Sequence, residues 1–155
     1  MLDTALLAVL ALLLLAASAC DIQARRIPNG LCAAGIAAGL AGHFWHGGGP
    51  GLWSLAGIAA ALPLLLLYAV RAFGAGDIKL LMAVGALMGP VFLLWALGGA
   101  IFAGAALGLV AMTARSIRSW PLLPLKSRMP FAPAIALGAV FACVHLGLLH
   151  LHLGL

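Results

Sequence analysis

The chain has 155 residues, of which 66% are hydrophobic and only 7% charged. Soluble domains are roughly 45–50% apolar and about 25% charged. With a mean hydropathy of +1.24, the composition excludes a water-soluble globule, a disordered chain and a disulfide-stapled secreted domain. The first apolar run is Thr4 to Cys20. Asp3, not a basic residue, precedes it, so it reads as a span and not as a cleaved leader, although Ala17-Ser18-Ala19-Cys20 faintly resembles a lipoprotein cleavage site. A second run covers about Leu31 to Phe44, and a third about Leu52 to Val70. Ile78 to Ala114 is apolar for 37 residues, too long for one span of roughly 20 residues. It must fold back at Gly89-Pro90 or at Gly98-Gly99. The last run is Phe131 to about Leu153. The expected fold is an all-α membrane protein, a bundle of six transmembrane helices forming one domain over residues 1–155. Six spans consume about 120 residues, so any chemistry must sit on the helices or in their short loops.

The net charge of +5 comes from six Arg and two Lys against three Asp and no Glu. Six spans put all eight basic residues on one side. Arg25 and Arg26 lie between spans one and two. Arg71 and Lys79 flank the link between three and four. Arg115, Arg118, Lys126 and Arg128 lie between five and six. Cationic residues accumulate on the cytoplasmic side, so those three loops are expected to be cytoplasmic and both termini outside. A single span over 78–114 would put the last cluster on the wrong side. The partner implied by the basic residues is thus the lipid bilayer, and no nucleic acid is expected.

Gly35 and Gly39, Gly85 and Gly89, and Gly104 and Gly108 are spaced for close helix approach in lipid. Cys20, Cys32 and Cys143 lack metal spacing and read as small buried residues. Trp45, Trp53, Trp95 and Trp120 suit interface anchors. His145, His150 and His152 cluster near the outer end of the last span, more as interfacial residues than as a metal site.

The acidic residues are few enough to weigh singly. Asp3 reads as solvated. Asp21 ends span one within Cys20-Asp21-Ile22-Gln23-Ala24-Arg25-Arg26-Ile27-Pro28-Asn29. Asp77 opens span four within Phe73-Gly74-Ala75-Gly76-Asp77-Ile78-Lys79. The charge pattern puts Asp21 and Asp77 on the same face. Two carboxylates a few Å apart cannot both ionise easily and share a proton. One can take a proton from water while the other donates to a peptide carbonyl oxygen. This is aspartic-protease chemistry, and it needs no metal and no cofactor. Gly74 and Gly76 lack a Cβ, which permits positive φ and close approach of a substrate strand. Each acid also has a plainer role open to it. Asp77 could cap span four, and Asp21 could pair with Arg25.

Asp21 followed by Ile27-Pro28-Asn29, then Gly74-x-Gly76-Asp77-x-Lys79, resembles the type IV prepilin peptidase family. Arg128-Met129-Pro130-Phe131-Ala132-Pro133-Ala134 resembles the same family's Pro-Phe-x-Pro stretch at the start of the last helix. The likeness covers essentially the whole chain. It implies removal of the basic leader from prepilins or pseudopilins at the cytoplasmic face of the bacterial inner membrane, just before the pilin's hydrophobic helix. It maps Asp21 and Asp77 onto the catalytic aspartates and groups the enzyme with the GxGD proteases. The substrate partners it implies are the prepilin leader and transmembrane helix, with pilus assembly proteins as further partners. The chain has no Cys-x-x-Cys domain, so the resemblance implies peptidase activity without N-methyltransferase activity and without zinc. The short form is similar to peptidases serving Flp-type tight-adherence pili, and to archaeal preflagellin peptidases. The Flp-type pilus is favoured.

Gly74 and Gly76 read as functional loop residues. Pro28 and Asn29 are expected to shape the start of span two, with Asn29 as its cap. Lys79 could tune the aspartates or contact substrate, but snorkelling to the membrane surface is favoured. Arg25 and Arg26 read as topology anchors. A competing function is a small proton- or cation-coupled transporter subunit using the same two acids. Their place near the helix ends counts against a continuous pathway. A third is a non-catalytic assembly subunit whose acids only cap helices.

Overall fold

The computed structural model describes residues 2–45, 48–69, 74–117 and 131–147. Among them the chain is helical and has no strand. The helices are α1 Leu2–Ala24, α2 Asn29–Trp45, α3 Gly48–Ala61, α4 Leu64–Ala69, α5 Ala75–Ile117 and α6 Ala132–His145. Thr4–Ala24 and Ala75–Val110 are long and apolar enough to cross a membrane, and Gly51–Leu66 and Ala132–His145 are shorter apolar stretches. A helix answers its own N–H and C=O groups, which is what an apolar surrounding demands of the backbone.

The ends of the helices follow from local chemistry. Arg25 takes φ 51°, and its N–H bonds to Asp21 O at 2.9 Å. That is a left-handed cap, which stops α1 at Ala24. Pro28 then opens α2 by offering its carbonyl to the N–H of Leu31 (3.1 Å) and of Cys32 (3.4 Å). The third apolar run is not one helix. Pro63 has no N–H to continue it. The chain passes through tighter turns, Leu62 N–H to Ala59 O (3.0 Å) and Leu65 N–H to Leu62 O (2.9 Å), before α4 begins.

The long fourth run breaks at Gly89, which adopts φ 83° and ψ 177°. Residues 98–99 stay helical. Glycine takes positive φ without a Cβ penalty, and Pro90 is suited to start the next helical stretch.

The two halves of α5 have different neighbours. In the first, a Cβ on Gly35 of α2 would meet Ala83 Cβ at 3.0 Å, and the backbones of Gly57 of α3 and Gly85 touch. In the second, a Cβ on Gly99 would lie 2.8 Å from Gly138 Cα of α6, and Gly138 abuts the Ala96 carbonyl. Buried Ile78, Leu80, Leu81, Val84, Leu87, Phe92, Leu93 and Ile135 fill the spaces between. Van der Waals packing, not the hydrophobic effect, holds such helices together in lipid.

Gly35, Gly39, Gly85, Gly89 and Gly104 each face a neighbour, as their spacing predicts. Gly108 has nothing within 4 Å among the described residues. Gly57 and Gly138, which make two of the closest helix approaches, have no glycine four residues away, only Ala61 for the first and Ala134 and Ala142 for the second, the alanine form of the same spacing.

Candidate active site

Asp21 sits in the last turn of α1 and is only 7% exposed. Its Oδ2 accepts a hydrogen bond from the Ala132 N–H at 2.9 Å. That N–H is at the first turn of α6, where helical donors have no partner within the helix. Phe131, the residue before α6, supplies no side-chain cap, and Pro133 sits in the first turn. Asp21 therefore completes the start of a helix 111 positions away, where the helix dipole favours a negative charge. The alternative of pairing with Arg25 is not taken by this carboxylate oxygen. Arg25 and Arg26 are exposed.

Asp77 is in the first turn of α5. Gly74 is the residue before it, and its carbonyl accepts from Ile78 N–H at 3.3 Å. The Asp77 Oδ2 reaches back to the Gly74 N–H at 3.1 Å, which is the return half of a capping box. A Cβ on Gly74 would lie 2.8 Å from that oxygen. Neither Gly74 nor Gly76 uses positive φ among the described residues. Their missing side chains serve close approach instead, Gly74 to the Asp77 carboxylate and Gly76 to Ile27.

The two acidic segments meet through their flanks. A Cβ on Gly76 would be 3.4 Å from Ile27 Cβ. Lys79 Nζ donates to Asn29 Oδ1 at 2.9 Å. Asn29 thus turns its side chain to α5, and the capping carbonyl of α2 comes from Pro28. Buried Cys32 lies one turn into α2. The end of α1 and the starts of α2, α5 and α6 are thereby linked at one end of the bundle. Lys79 and Asn29 are both exposed. Lys79→Met is expected to cost at most about 1 kcal/mol, read as a small fall in melting temperature in detergent. Loss of the folded protein would contradict this.

Of the third motif, Phe131 to Ala134 are described, and the Phe131 ring lies against Gly104. Arg128, Met129 and Pro130 lie outside the described residues, as do Arg71, Arg118, Lys126, Trp120, His150 and His152; the side chains of Asp3 and Arg115 are likewise not described. The His145 ring packs against Trp95, with centroids 3.8 Å apart and the rings tilted by 39°. The three cysteines are unpaired, and only Cys32 is buried as expected; Cys20 and Cys143 are half-buried. Two contacts at the other end of the bundle carry no signal in residue spacing. Ser54 Oγ donates to Ala86 O at 2.7 Å, and His43 Nε2 bonds to Leu87 O at 3.0 Å. A polar residue inside an apolar run, opposite a Gly-Pro pair, is the signal that could have found them.

Fold and site together describe an all-helical protein with apolar helices and two aspartates near helix ends. The chain belongs to the type IV leader peptidase family, whose model matches residues 8–109. It is a peptidase, and the apolar helices together with the family make it a membrane protein. The match includes Asp21 to Asn29 and Gly74 to Lys79, and ends before Phe131. No curated protein and no solved structure matches the chain.

Proposed function

We propose that the chain is a membrane-embedded aspartic endopeptidase that removes the basic leader from type IV prepilins or pseudopilins. Asp21 and Asp77 act as its general acid and base. The observation that carries this reading is the linkage of the two acidic segments, Ile27 to Gly76 and Asn29 to Lys79, at the end of the bundle where Asp21 meets α6. One carboxylate takes a proton from water as the water oxygen attacks the scissile carbonyl carbon. The protonated partner donates to the carbonyl oxygen. Collapse of the tetrahedral intermediate breaks the C–N bond, and a proton passes to the leaving amine. Such a dyad titrates as a pair, so neither residue is assigned one role.

The chain crosses the membrane six times in this proposal. The spans are α1, α2, α3 with α4, the two halves of α5, and α6. The break at Gly89 and the separate neighbours of the two halves of α5 support that count. Exposed Arg25, Arg26 and Lys79 lie at the end that carries both aspartates. That supports a site facing the cytoplasm of a bacterial inner membrane, with both termini periplasmic. The favoured substrate is a Flp-type prepilin, and the reaction uses no metal, cofactor or methyl transfer.

The test is to co-express the protein with a tagged Flp-type prepilin and sequence the product's N-terminus. A cut between the basic leader and the hydrophobic helix, absent without the enzyme, is expected. An unprocessed prepilin in membranes that hold the folded enzyme would overturn the substrate reading.

Gly74→Ala forces a Cβ to within 2.8 Å of the Asp77 carboxylate. A misplacement of about 1 Å can cost on the order of 10²-fold in rate. Gly76→Ala adds only an ordinary contact with Ile27 at 3.4 Å. Gly74→Ala is therefore expected to slow processing at least about tenfold more than Gly76→Ala. Equal rates would show that the Gly74 contact does not hold Asp77 in its working position.

A further inference from the structure

The half of α5 that carries Asp77 ends at Gly89, about 18 Å further along the helix axis. The break there strands backbone carbonyls. Ala86 O would take the N–H four residues on, but that residue is Pro90, which has none. The regular donor for Leu87 O, the Val91 N–H, lies beyond non-helical Gly89. Two side chains from two different helices answer these two carbonyls. Ser54 of α3 donates its hydroxyl to Ala86 O at 2.7 Å. His43 of α2 donates from Nε2 to Leu87 O at 3.0 Å, since a carbonyl oxygen only accepts.

Ser54 is 0% exposed and His43 8% exposed. Burying a hydroxyl and an imidazole in an apolar bundle is unfavourable unless each finds a partner. Trp53, next to Ser54, packs directly against Gly89. Consecutive carbonyl oxygens sit about 100° apart around a helix axis. Two bonds from different helices to Ala86 O and Leu87 O therefore fix both the height and the rotation of the half-helix, not merely its presence.

We infer that Ser54 and His43 are positioning residues for Asp77. They clamp the far end of the half-helix and so set where its near end presents the carboxylate. This rests on the proposal that Asp77 takes part in the reaction. A helix transmits rotation along its length. A turn of about 10° moves a carboxylate about 5 Å off the axis by about 1 Å, a shift on the scale that costs about 10²-fold in rate. At the near end, the Gly76–Ile27 and Lys79–Asn29 contacts report whether the half-helix sits in register.

The experiment has two readouts. The first is leader removal by Ser54→Ala, His43→Leu and His43→Gln, with kcat and KM measured separately. The second needs no activity. In a chain carrying Cys20→Ala, Cys32→Ala and Cys143→Ala, the pair Ile27→Cys/Gly76→Cys is oxidised in membranes. A Cβ on Gly76 would lie 3.4 Å from Ile27 Cβ, close to the roughly 3.8 Å of a disulfide, so this pair should cross-link.

Ser54→Ala and His43→Leu are each expected to lower kcat at least about tenfold with KM unchanged, and to slow the cross-link. His43→Gln keeps an N–H donor and is expected to recover most of both. Wild-type kcat and an unchanged cross-linking rate in Ser54→Ala and His43→Leu would overturn the inference. So would equal losses in His43→Leu and His43→Gln. If Ser54→Ala does not fold, the His43 pair decides alone. Asp77→Asn is run alongside. Full processing by that variant would remove Asp77 from the reaction and overturn the peptidase role of the clamp. The cross-linking rate would still judge the clamp as a structural device.

Discussion

Asp77→Asn and Asp21→Asn are each expected to abolish leader removal while leaving the fold intact. A positioned acid or base contributes on the order of 10²- to 10⁴-fold to a rate, and a pair that works as one unit loses most of its effect with either member. Asparagine separates chemistry from capping in this chain. Its side-chain oxygen can still accept from the Gly74 N–H at position 77, now 3.1 Å from Asp77 Oδ2. It can likewise accept from the Ala132 N–H at position 21, now 2.9 Å from Asp21 Oδ2. The starts of α5 and α6 are thus kept, and what is lost is the exchangeable proton. Processing of a tagged prepilin, read as a gel shift at equal membrane levels, measures the first effect. A melting temperature in detergent measures the second. An Asn variant that still cleaves at the wild-type rate would remove that aspartate from the mechanism. An Asn variant that fails to accumulate would mean that the helix start needs the carboxylate's charge and not only an acceptor oxygen. A folded wild type with no cleavage activity would shift weight to the transporter alternative.

Gly57→Val is expected to be the most damaging change away from the aspartates. Any Cβ at position 57 overlaps the Gly85 carbonyl, and Gly85 in turn abuts the Gly57 carbonyl. Backbone against backbone leaves no flexible side chain to move aside. Overpacking of this kind costs about 1–3 kcal/mol, occasionally more. The damage should reach the site as well, because Gly57 is one turn from Ser54, whose hydroxyl holds Ala86 O. Gly138→Val, against the Ala96 carbonyl of the other half of α5, should behave alike. Gly108→Ala is the control, since a Cβ there meets nothing within 4 Å among the described residues. Thermal unfolding in detergent should show a clear fall for the first two and little change for the third. Equal melting temperatures for Gly57→Val and Gly108→Ala would contradict the helix contacts described above.

Much of the helix layout was legible in the apolar runs, because a run that long has no other stable backbone form in lipid. The boundaries of α1 and α2 lie within a few residues of the runs that predict them. The break in the fourth run was legible as a choice of two. Gly89-Pro90 prevails over Gly98-Gly99 because Pro90 removes a backbone donor, whereas two glycines can remain helical. The split at Pro63 was missed for the same chemistry, a proline hidden in an otherwise unbroken run. At the site, the acids stood out because the chain has only three. Their present partners did not. The bond from Ala132 to Asp21 spans 111 positions, and no local pattern encodes it. Asn29 looked like a cap by residue type, yet the carbonyl of Pro28 does that work and frees Asn29 for Lys79. His43 and Ser54 stood out by no motif or spacing, since their meaning lies in two carbonyls on another helix.

The central claim is that Asp21 and Asp77 meet in one site. The most direct measurement is cross-linking of Asp21→Cys/Asp77→Cys in a chain whose native cysteines are replaced by alanine, oxidised in membranes with and without prepilin. Two carboxylates in hydrogen-bond reach can hold their Cα atoms beyond the roughly 4.4–6.8 Å of a disulfide, so a short bifunctional thiol reagent is applied as well as oxidation. The account predicts a cross-link that forms readily in the presence of the prepilin. No cross-link under either condition, in membranes where Ile27→Cys/Gly76→Cys is fully oxidised, would contradict it.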